Sequence, residues 1–353
     1  MPHPIKKKRL LRRLFARALQ LLAHKKLSNK PFTGQLDSIV ILAQEKLGDS
    51  ILLTPLLRNL RHHFPNLEIH LCCFTKASAQ FFRNDPHITA IHEVKKNFAT
   101  YYRNVLSRKF DILFNTKDSP STHFLLQTLL IRARFKTGLK NPYHEGLFNH
   151  LIAIEFNTQM ALKNCSLLSL LSINATEEEC RPYIPPAPVS GIMKSFIERM
   201  KSGIFTGLNI SAGGPLRQWP EKKWSELIAA FPEEQFIVFS APEDSEMKQR
   251  IERTHSNVTS SPLTANIYEA GLLVKMLKLL VTPDTSMVHV ASCYNIPVIA
   301  LYREAAQDLS RFSPYLIDFE QIISRTSTVA DIDVQTVSSA LQKKLHEDRL
   351  KQK

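Results

Sequence analysis

The sequence lacks the features that mark secreted, zinc-binding and membrane-spanning proteins. Its 353 residues include five cysteines, an odd number, with no CxxC pair and with two of them adjacent at positions 72 and 73. This pattern disfavours a disulfide framework or a zinc site and predicts a reducing cytoplasm. No run of about 18 uncharged apolar residues occurs, so a membrane-spanning helix is not expected. A secretory signal is disfavoured because Arg12, Arg13 and Arg17 interrupt the first apolar stretch.

Acidic residues are missing from the first 30 positions, which carry ten Lys and Arg residues. The rest of the chain has 36 basic and 32 acidic residues, so most of the net charge of +14 lies in this segment. Its apolar residues recur at helical spacing opposite a polar face, with Leu10, Leu11, Leu14, Phe15, Ala18, Leu21 and Leu22 on the first and Arg9, Arg12, Arg13, Arg17 and Gln20 on the second.

A basic amphipathic helix of this kind suits an anionic membrane surface, which residues 5–26 would contact. The alternative is a helix packed on the protein's own body. Charge alone also suggests nucleic acid, which is disfavoured because the basic excess is confined to one amphipathic segment.

Strand and helix patterns alternate along the remaining chain. Short apolar runs predict buried strands at 38–43, 68–74, 88–94, 110–115, 135–138, 205–210, 236–240, 277–282 and 297–302. This alternation predicts an α/β fold with two Rossmann-like domains, whose parallel sheets face each other across a cleft. A proline-rich acidic stretch at 177–190 is the best linker. The predicted domains are a tail at 1–30, an N-terminal domain at 31–185, a C-terminal domain at 186–328 and a final helix at 329–353.

The stretch NISAGGPLRQW at 209–219 lies between a predicted strand and a predicted helix. Gly213 and the next glycine let the backbone approach a ligand, Ser211 supplies a hydroxyl, and Arg217 offers a planar fork for phosphate. The start of the following helix adds partial positive charge. These features predict a diphosphate cradle, and the alternative is an ordinary glycine turn beside a surface arginine. The absence of GxxxxGKS/T and of GxGxxG disfavours a Walker site and NAD binding.

A second candidate, VTPDTSMVH at 281–289, also follows a predicted strand. Asp284 comes directly after that strand, and His289 lies about one helical turn further on, facing the helix start. A helix start favours an anion. The alternative is that Asp284 or Thr285 only caps the helix and His289 packs in the interior.

Asp49 occupies the corresponding place in the first half of the chain, after Gly48 and before a helix. A carboxylate there can act as a general base toward a hydroxyl nucleophile, although an N-cap is a strong alternative. Lys46, Arg58 and Lys117 are candidate contacts for an acidic acceptor.

Together these segments resemble glycosyltransferase family 9, the heptosyltransferase family of lipopolysaccharide core assembly. The resemblance rests on KLGDSILLTPLLRNLRHHFPNLEI, GLNISAGGPLRQWPEKKWSEL and VTPDTSMVHVASCYNIPVIALY, in that order, and extends over residues 36–320. It implies a GT-B fold with the acceptor on the N-terminal domain and the nucleotide-sugar on the C-terminal domain. It also implies an inverting reaction that needs neither a metal nor a cofactor.

By this resemblance Asp49 is the catalytic base, which deprotonates the acceptor hydroxyl for attack at the anomeric carbon of the donor. Arg217 matches a basic residue for the donor diphosphate, and Ala212 and Gly213 match a position that contacts phosphate. The other implied donor contacts are Ser211, Glu243, Asp244, Asp284, Thr285, Ser286 and His289, with Asp244 nearest the ribose.

The chain departs from the family pattern on the donor side. Ser286 stands where glycine is usual, and Arg303, Glu304 and Ala305 replace a Gly-Pro-Thr turn. The first hypothesis is a glycosyltransferase peripheral to the cytoplasmic face of the inner membrane, with ADP-heptose or another nucleotide-sugar as donor and a lipopolysaccharide core or lipid-linked acceptor. The alternative is a non-catalytic GT-B relative that binds a nucleotide or glycan, which Asp49 and Asp284 argue against.

Overall fold

Among the described residues, twelve strands form two six-stranded sheets in which every neighbouring pair is parallel. The computed structural model describes residues 4–23, 27, 32–304 and 306–351. The chain divides into a first unit, Met1–Cys180, and a second unit, Arg181–Lys353. This division falls within the proline-rich stretch 177–190, a few residues before the expected boundary. No described helix combines the length and apolar content needed to cross a bilayer.

The first unit has the strand order β3-β2-β1-β4-β5-β6. Its strands are β1 (Ser38–Ala43), β2 (Glu68–Cys73), β3 (Ala90–Glu93), β4 (Lys109–Asn115), β5 (Arg132–Leu139) and β6 (His150–Ile152). Its helices are α1 (Pro4–Ala23), α2 (Leu47–Ile51), α3 (Thr54–His63), α4 (Lys76–Phe82), α5 (Phe98–Tyr101), α6 (Thr122–Leu130), α7 (Met160–Cys165) and α8 (Leu167–Leu170), with a π-helix at Tyr102–Leu106 and a 3-10 turn at Glu178–Cys180. The central strand β1 is buried along its whole length, as its apolar run predicts.

The second unit has the order β12-β11-β10-β7-β8-β9. Its strands are β7 (Phe205–Asn209), β8 (Phe236–Phe239), β9 (Val258–Thr259), β10 (Leu277–Pro283), β11 (Val298–Tyr302) and β12 (Phe319–Ile323). Its helices are α9 (Gly191–Met200), α10 (Glu221–Ala229), α11 (Ser245–Thr254), α12 (Ile267–Val274), α13 (Ser286–Tyr294), α14 (Ala306–Arg311) and α15 (Val334–Lys351), with 3-10 turns at Pro215–Arg217, Pro242–Asp244 and Val329–Asp331.

The final helix α15 belongs to the core of the second unit. Val337 and Leu341 are fully buried in a cluster that includes Trp224 of α10 and alternate residues of β10 and β11, such as Val281 and Ile299. Helix α15, in the segment 329–353 expected as a separate element, is thus part of the layer that covers one face of this sheet.

Each sheet has the strand order 3-2-1-4-5-6 when its strands are numbered from the start of the unit. This is the order of dinucleotide-binding Rossmann folds, in which ligands bind at the carboxyl ends of the strands where the order reverses. The reversal lies between β1 and β4 in the first unit and between β7 and β10 in the second. The predicted pair of Rossmann-like sheets is confirmed.

Helix α1 packs on the first unit through one of its faces. Phe15, Ala16, Leu19 and Ala23 join a cluster with α6 and the segment after β5, in which Ala16 and Phe148 are fully buried. Of the residues predicted on the apolar face, Phe15 lies on this packed face. Ala16 and Leu19 also lie on the packed face but are absent from the predicted one. The predicted apolar face is therefore only partly correct. The expectation of a helix on the protein's own body holds for this face. Residues 1–3, 24–26 and 28–30 of the expected tail, and the side chains of 4–9 and of Leu22, lie outside the described part.

Candidate functional site

The point of reversal in the second unit is built around the buried side chain of Asn209 at the end of β7. Its amide nitrogen donates to the Thr282 hydroxyl at 2.9 Å and to the Thr285 hydroxyl at 3.1 Å. It also donates to the backbone oxygen of Ser211 at 3.2 Å. One amide therefore fastens the loop after β7 to the loop after β10. Sequence reasoning missed this residue, although a polar residue closing an apolar strand was a usable signal.

Ser211 and Asp244 meet beside this point, at the ends of β7 and β8. The Ser211 hydroxyl donates to an Asp244 carboxylate oxygen at 2.5 Å and accepts the backbone N–H of Ala241 at 2.7 Å. The serine thus orients the carboxylate that the family resemblance assigns to the ribose. Glu243 is exposed in the same turn.

Arg217 and Asp284 form the other half of the cluster. An Arg217 guanidinium nitrogen lies 3.3 Å from an Asp284 carboxylate oxygen and 3.2 Å from its backbone oxygen. The backbone N–H of Asp284 donates to Leu301 of β11 at 3.0 Å, which fixes this turn against the neighbouring strand. The arginine is therefore a half-buried cation that Asp284 holds at the point of reversal.

The loop between these two pairs is open. A side chain built at Gly213 would meet no atom within 4 Å, and Ala212 beside it is half-buried. Thr285 caps α13, since its hydroxyl accepts the backbone N–H of Met287 at 3.2 Å, and Ser286 is the first residue of that helix. The nine-residue helix α13 thus begins two residues after Asp284, the partner of Arg217, and unpaired N–H groups at a helix start attract anions.

His289 has a buried ring within α13, 4% exposed. Burial lowers the pKa of His289 to about 4, so the ring is neutral at physiological pH. Its Nδ1 has no hydrogen-bond partner among the described residues. The ring of His289 therefore packs in the interior, as one of the two interpretations expected. It can contribute to an anion site only as a neutral group.

A buried ion pair supports the loop after β9 and was missed by the sequence reasoning. Lys248 pairs with Glu252, and the side chains of both are nearly fully buried. The lysine donates to the backbone oxygen of Ser261 at 2.7 Å, and the Ser261 N–H donates to Glu252 at 3.1 Å. These contacts fix the backbone beside the Asp244 turn, on the side of β8 away from β7.

In the first unit, Asp49 lies at the carboxyl end of β1. It is in the first turn of α2 and is 8% exposed. The helix begins after Lys46, so Asp49 lies within its first turn and not at the N-cap position.

The three predicted acceptor contacts lie in different surroundings. Lys46 is exposed directly before α2. Lys117, after β4, donates to Gln44 at 3.0 Å and lies 3.3 Å from Glu45, so it joins the ends of β4 and β1. Arg58 donates to the backbone oxygen of Glu179 at 2.9 Å. Lys46 and Lys117 therefore share the edge that carries Asp49, whereas Arg58 holds the 3-10 turn at the end of the unit.

Two further buried polar groups at this edge, one of them charged, were not foreseen. Lys163 of α7 is buried, with its side chain 1% exposed, and lies 2.9 Å from Asp118 just after Lys117. His144, in the loop after β5, is fully buried and its Nδ1 lies 2.7 Å from the Leu139 oxygen. Burial lowers the pKa of His144 to about 4. Lys163 and Asp118 are 45 positions apart, so no short sequence motif links them.

The departures from the family pattern lie at the carboxyl end of β11. Arg303 is half-buried and Glu304 is exposed, and the Glu304 N–H donates to Thr326 at 3.1 Å. Ala305 lies outside the described residues.

Two family models match the chain. The sequence model of a family described as glycosyltransferase family 9 (heptosyltransferase) matches residues 99–340. A family of unknown function also matches, over residues 7–173. The first match includes the whole second unit up to α15.

Curated and solved relatives agree with this family. Lipopolysaccharide heptosyltransferase 3 of Escherichia coli is 20% identical over 274 residues, which is 72% of this chain and 80% of that protein. A family 9 glycosyltransferase of Veillonella parvula has a TM-score of 0.70 at 19% identity, over 91% of this chain and 100% of the other. E. coli heptosyltransferase WaaC, solved with ADP, has a TM-score of 0.65 at 13% identity, over 88% and 98%. These structures share the fold of the chain.

Proposed function

Because the chain belongs to glycosyltransferase family 9, the heptosyltransferase family, and is a glycosyltransferase, we propose that it transfers a heptose from a nucleoside diphosphate to a lipopolysaccharide-core or lipid-linked acceptor. The observation that carries this proposal is the cluster of Ser211, Asp244, Arg217 and Asp284 at the point of reversal in the second unit. It combines a carboxylate for ribose hydroxyls with a cation for phosphate.

In the proposed donor complex, the nucleoside lies at the ends of β7 and β8. Asp244 and Glu243 accept hydrogen bonds from the ribose hydroxyls, and Ser211 keeps Asp244 in position. The diphosphate lies along Ala212 and Gly213, where space is open, and contacts Arg217, Thr285, Ser286 and the start of α13. The solved relative that contains ADP favours an ADP-linked donor.

Asp49 is the proposed general base. Its carboxylate takes the proton of the acceptor hydroxyl, whose oxygen attacks the anomeric carbon of the donor as the diphosphate leaves, so the configuration at that carbon inverts. A positioned base contributes about 10²- to 10⁴-fold to rate. In this proposal Arg217 and the start of α13 offset the charge that develops on the leaving diphosphate, without a metal ion or another cofactor.

The proposed acceptor contacts are Lys46, Lys117 and Arg58. Lys46 has the strongest support because it is exposed next to the helix that carries Asp49. Lys117 would have to share its ammonium group with Gln44 and Glu45. We place the reaction at the cytoplasmic face of the inner membrane, where a lipid-linked acceptor is anchored.

Calorimetric titration with ADP, UDP, GDP and CDP, in the absence of added metal, tests the donor assignment. Selective binding of ADP that is lost in Arg217→Ala supports an ADP-linked heptose. Selective binding of another nucleotide keeps the transferase and replaces its donor. If a folded protein binds none of the four, the proposed donor site is wrong and the non-catalytic alternative gains support.

A further inference from the structure

The side of α1 that faces away from the first unit carries a second apolar surface. Leu10, Leu11, Leu14 and Leu21 are 57%, 59%, 53% and 71% exposed, although they lie in the same helix as the fully buried Ala16. Leu10, Leu14 and Leu21 recur at i, i+4 and i+11, which places them on one face. We call these four leucines the leucine face. Exposed apolar residues grouped in this way mark a contact surface, whereas scattered ones need no explanation.

The charges next to the leucine face have a single sign. Arg12, Arg13 and Arg17 are exposed on the same helix, and the first 30 residues contain no acidic residue. A partner that accepts both leucines and arginines along one helix must be apolar inside and anionic at its surface. An anionic bilayer has both properties, because its acyl chains receive the leucines and its headgroups receive the arginines.

The packed face fixes where this helix lies on the first unit. The Gln20 side chain donates to the Pro142 oxygen at 2.9 Å, in the loop after the carboxyl end of β5. In the same loop, a side chain at Gly146 (φ +78°) would meet the backbone oxygen of Gln20 at 3.3 Å. Only glycine combines this φ with such a close approach. Helix α1 is therefore anchored at the sheet edge that carries Asp49 and Lys117.

We infer that α1 is an in-plane membrane anchor whose leucine face inserts into an anionic bilayer, and that its packing brings the acceptor edge of the first unit to the membrane surface. The membrane contact follows from α1 alone. The delivery of a lipid-linked acceptor to this edge rests on the proposed function.

Vesicle sedimentation of the full chain tests the contact. Bilayers of phosphatidylethanolamine with phosphatidylglycerol are compared with neutral phosphatidylcholine. The variant Leu10→Ser/Leu14→Ser/Leu21→Ser should lower partitioning onto anionic vesicles at least tenfold. The matched control Ile192→Ser/Ile204→Ser/Leu350→Ser changes three comparably exposed residues of the second unit and should bind as the parent does. Equal binding by the leucine variant and the parent overturns the inference.

A variant that gains a signal on binding tests the same contact without relying on a loss of binding, which misfolding could also cause. The chain has two tryptophans, Trp219 and Trp224, both fully buried, so a third one at the surface gives a distinct signal. Leu14→Trp should show fluorescence quenching by brominated anionic lipid, and Ile192→Trp should show none. Quenching of neither, or of both equally, contradicts insertion of the leucine face.

A third variant separates the anchor from its position. Ala16→Ser/Leu19→Ser weakens the packed face and leaves the leucine face intact. Its binding to vesicles should stay within twofold of the parent, while transfer to an acceptor embedded in vesicles falls more than transfer to a short soluble acceptor. Equal loss on both acceptors overturns the positional part. Absence of any transfer by the parent counts against the proposed function and leaves the vesicle result standing.

Discussion

The two units have the same strand order but differ in the loops at the point of reversal. In the first unit, Lys117 bridges Gln44 and Glu45, and the Gln44 amide donates to the Thr116 oxygen at 3.1 Å. In the second unit, Asn209 joins the strand ends, and an open loop begins after Ser211, in which a Cβ atom placed at Gly213 would have no other atom within 4 Å. Cross-strand contacts therefore occur in both units, and the glycine loop of the second unit leaves space beside them.

This difference teaches that the fold supplies the location of a site and the loops supply its chemistry. At the point of reversal in the first unit, Asp49 of α2 and Lys46 directly before that helix are the groups proposed for an incoming hydroxyl. The open loop in the second unit, with Arg217 and the start of α13, suits a diphosphate. Each of the following tests separates the contribution of one unit from that of the other.

The largest expected effect follows from Asp49→Asn. Because the amide cannot accept the hydroxyl proton, kcat should fall by about 10²- to 10⁴-fold, while calorimetry should give the parent's Kd for the nucleotide. Glu45→Gln changes another carboxylate at the same edge and should lower kcat less than tenfold. A comparable loss in both variants would assign the effect to the charge of the edge and not to a base.

Arg217→Ala should have the next largest effect. A hydrogen bond to a charged group is worth about 1.5–3 kcal/mol, so Kd for the nucleoside diphosphate should rise about 10- to 100-fold by calorimetry. Arg250→Ala is the control, because it removes an exposed arginine of the same unit that pairs with Glu221 and should leave Kd unchanged. If the two variants behave alike, the phosphate site lies elsewhere.

Acid should open the first unit before the second. Burial lowers the pKa of His92 and His144 in the first unit, and of His289 in the second, to about 4 from an ordinary value near 6.5. The unfolded chain binds these protons near pH 6.5 and the folded chain does not, so stability is lost as pH falls from about 6.5 to about 4. Each histidine contributes up to about 1.4 kcal/mol per pH unit.

Hydrogen exchange followed by mass spectrometry, corrected for the intrinsic pH dependence of exchange, resolves the two units separately. Protection in the first unit should decline more steeply over this range, because it holds two of these three histidines. An earlier decline in the second unit would contradict the expectation.

The smallest expected effect is that of Asn209→Ala. Losing an amide that serves Thr282 and Thr285 should lower the free energy of unfolding of the second unit by about 1–3 kcal/mol. Both tryptophans lie in that unit, so urea unfolding followed by tryptophan fluorescence measures it alone. Gln44→Ala removes the corresponding bridge in the first unit and should leave this transition in place.

The sequence predicted the interior of each sheet better than its margins. The apolar runs of β1, β7 and β10 are buried nearly throughout, and such runs carry the signal of a central parallel strand. The strands that the sequence did not predict, β6, β9 and β12, lie at the sheet edges. Strands β6 and β9 have only three and two residues. The five-residue strand β12 is largely half-buried or exposed. Half-exposed strands tolerate polar residues, so their sequences lack the continuous apolar run that predicts a buried strand.

The site was predictable one residue at a time but not as a set of contacts. Ser211, Arg217, Asp244 and Asp284 follow strands, and their residue types suggest their chemistry. Their pairing joins residues 33 and 67 positions apart, which no local pattern encodes. The same limit hid Lys163, because its partner Asp118 is 45 positions away and a buried lysine in a helix resembles a solvated one in sequence.

The ion pair of Arg217 and Asp284 has a consequence for the proposed turnover. A diphosphate that engages this arginine meets a guanidinium that a carboxylate already holds, and the five N–H donors of the guanidinium allow the two anions to share it. The arginine is oriented in advance, which reduces the entropy lost on binding. In this proposal the Asp284 carboxylate competes with the spent nucleotide for the arginine and so favours its release.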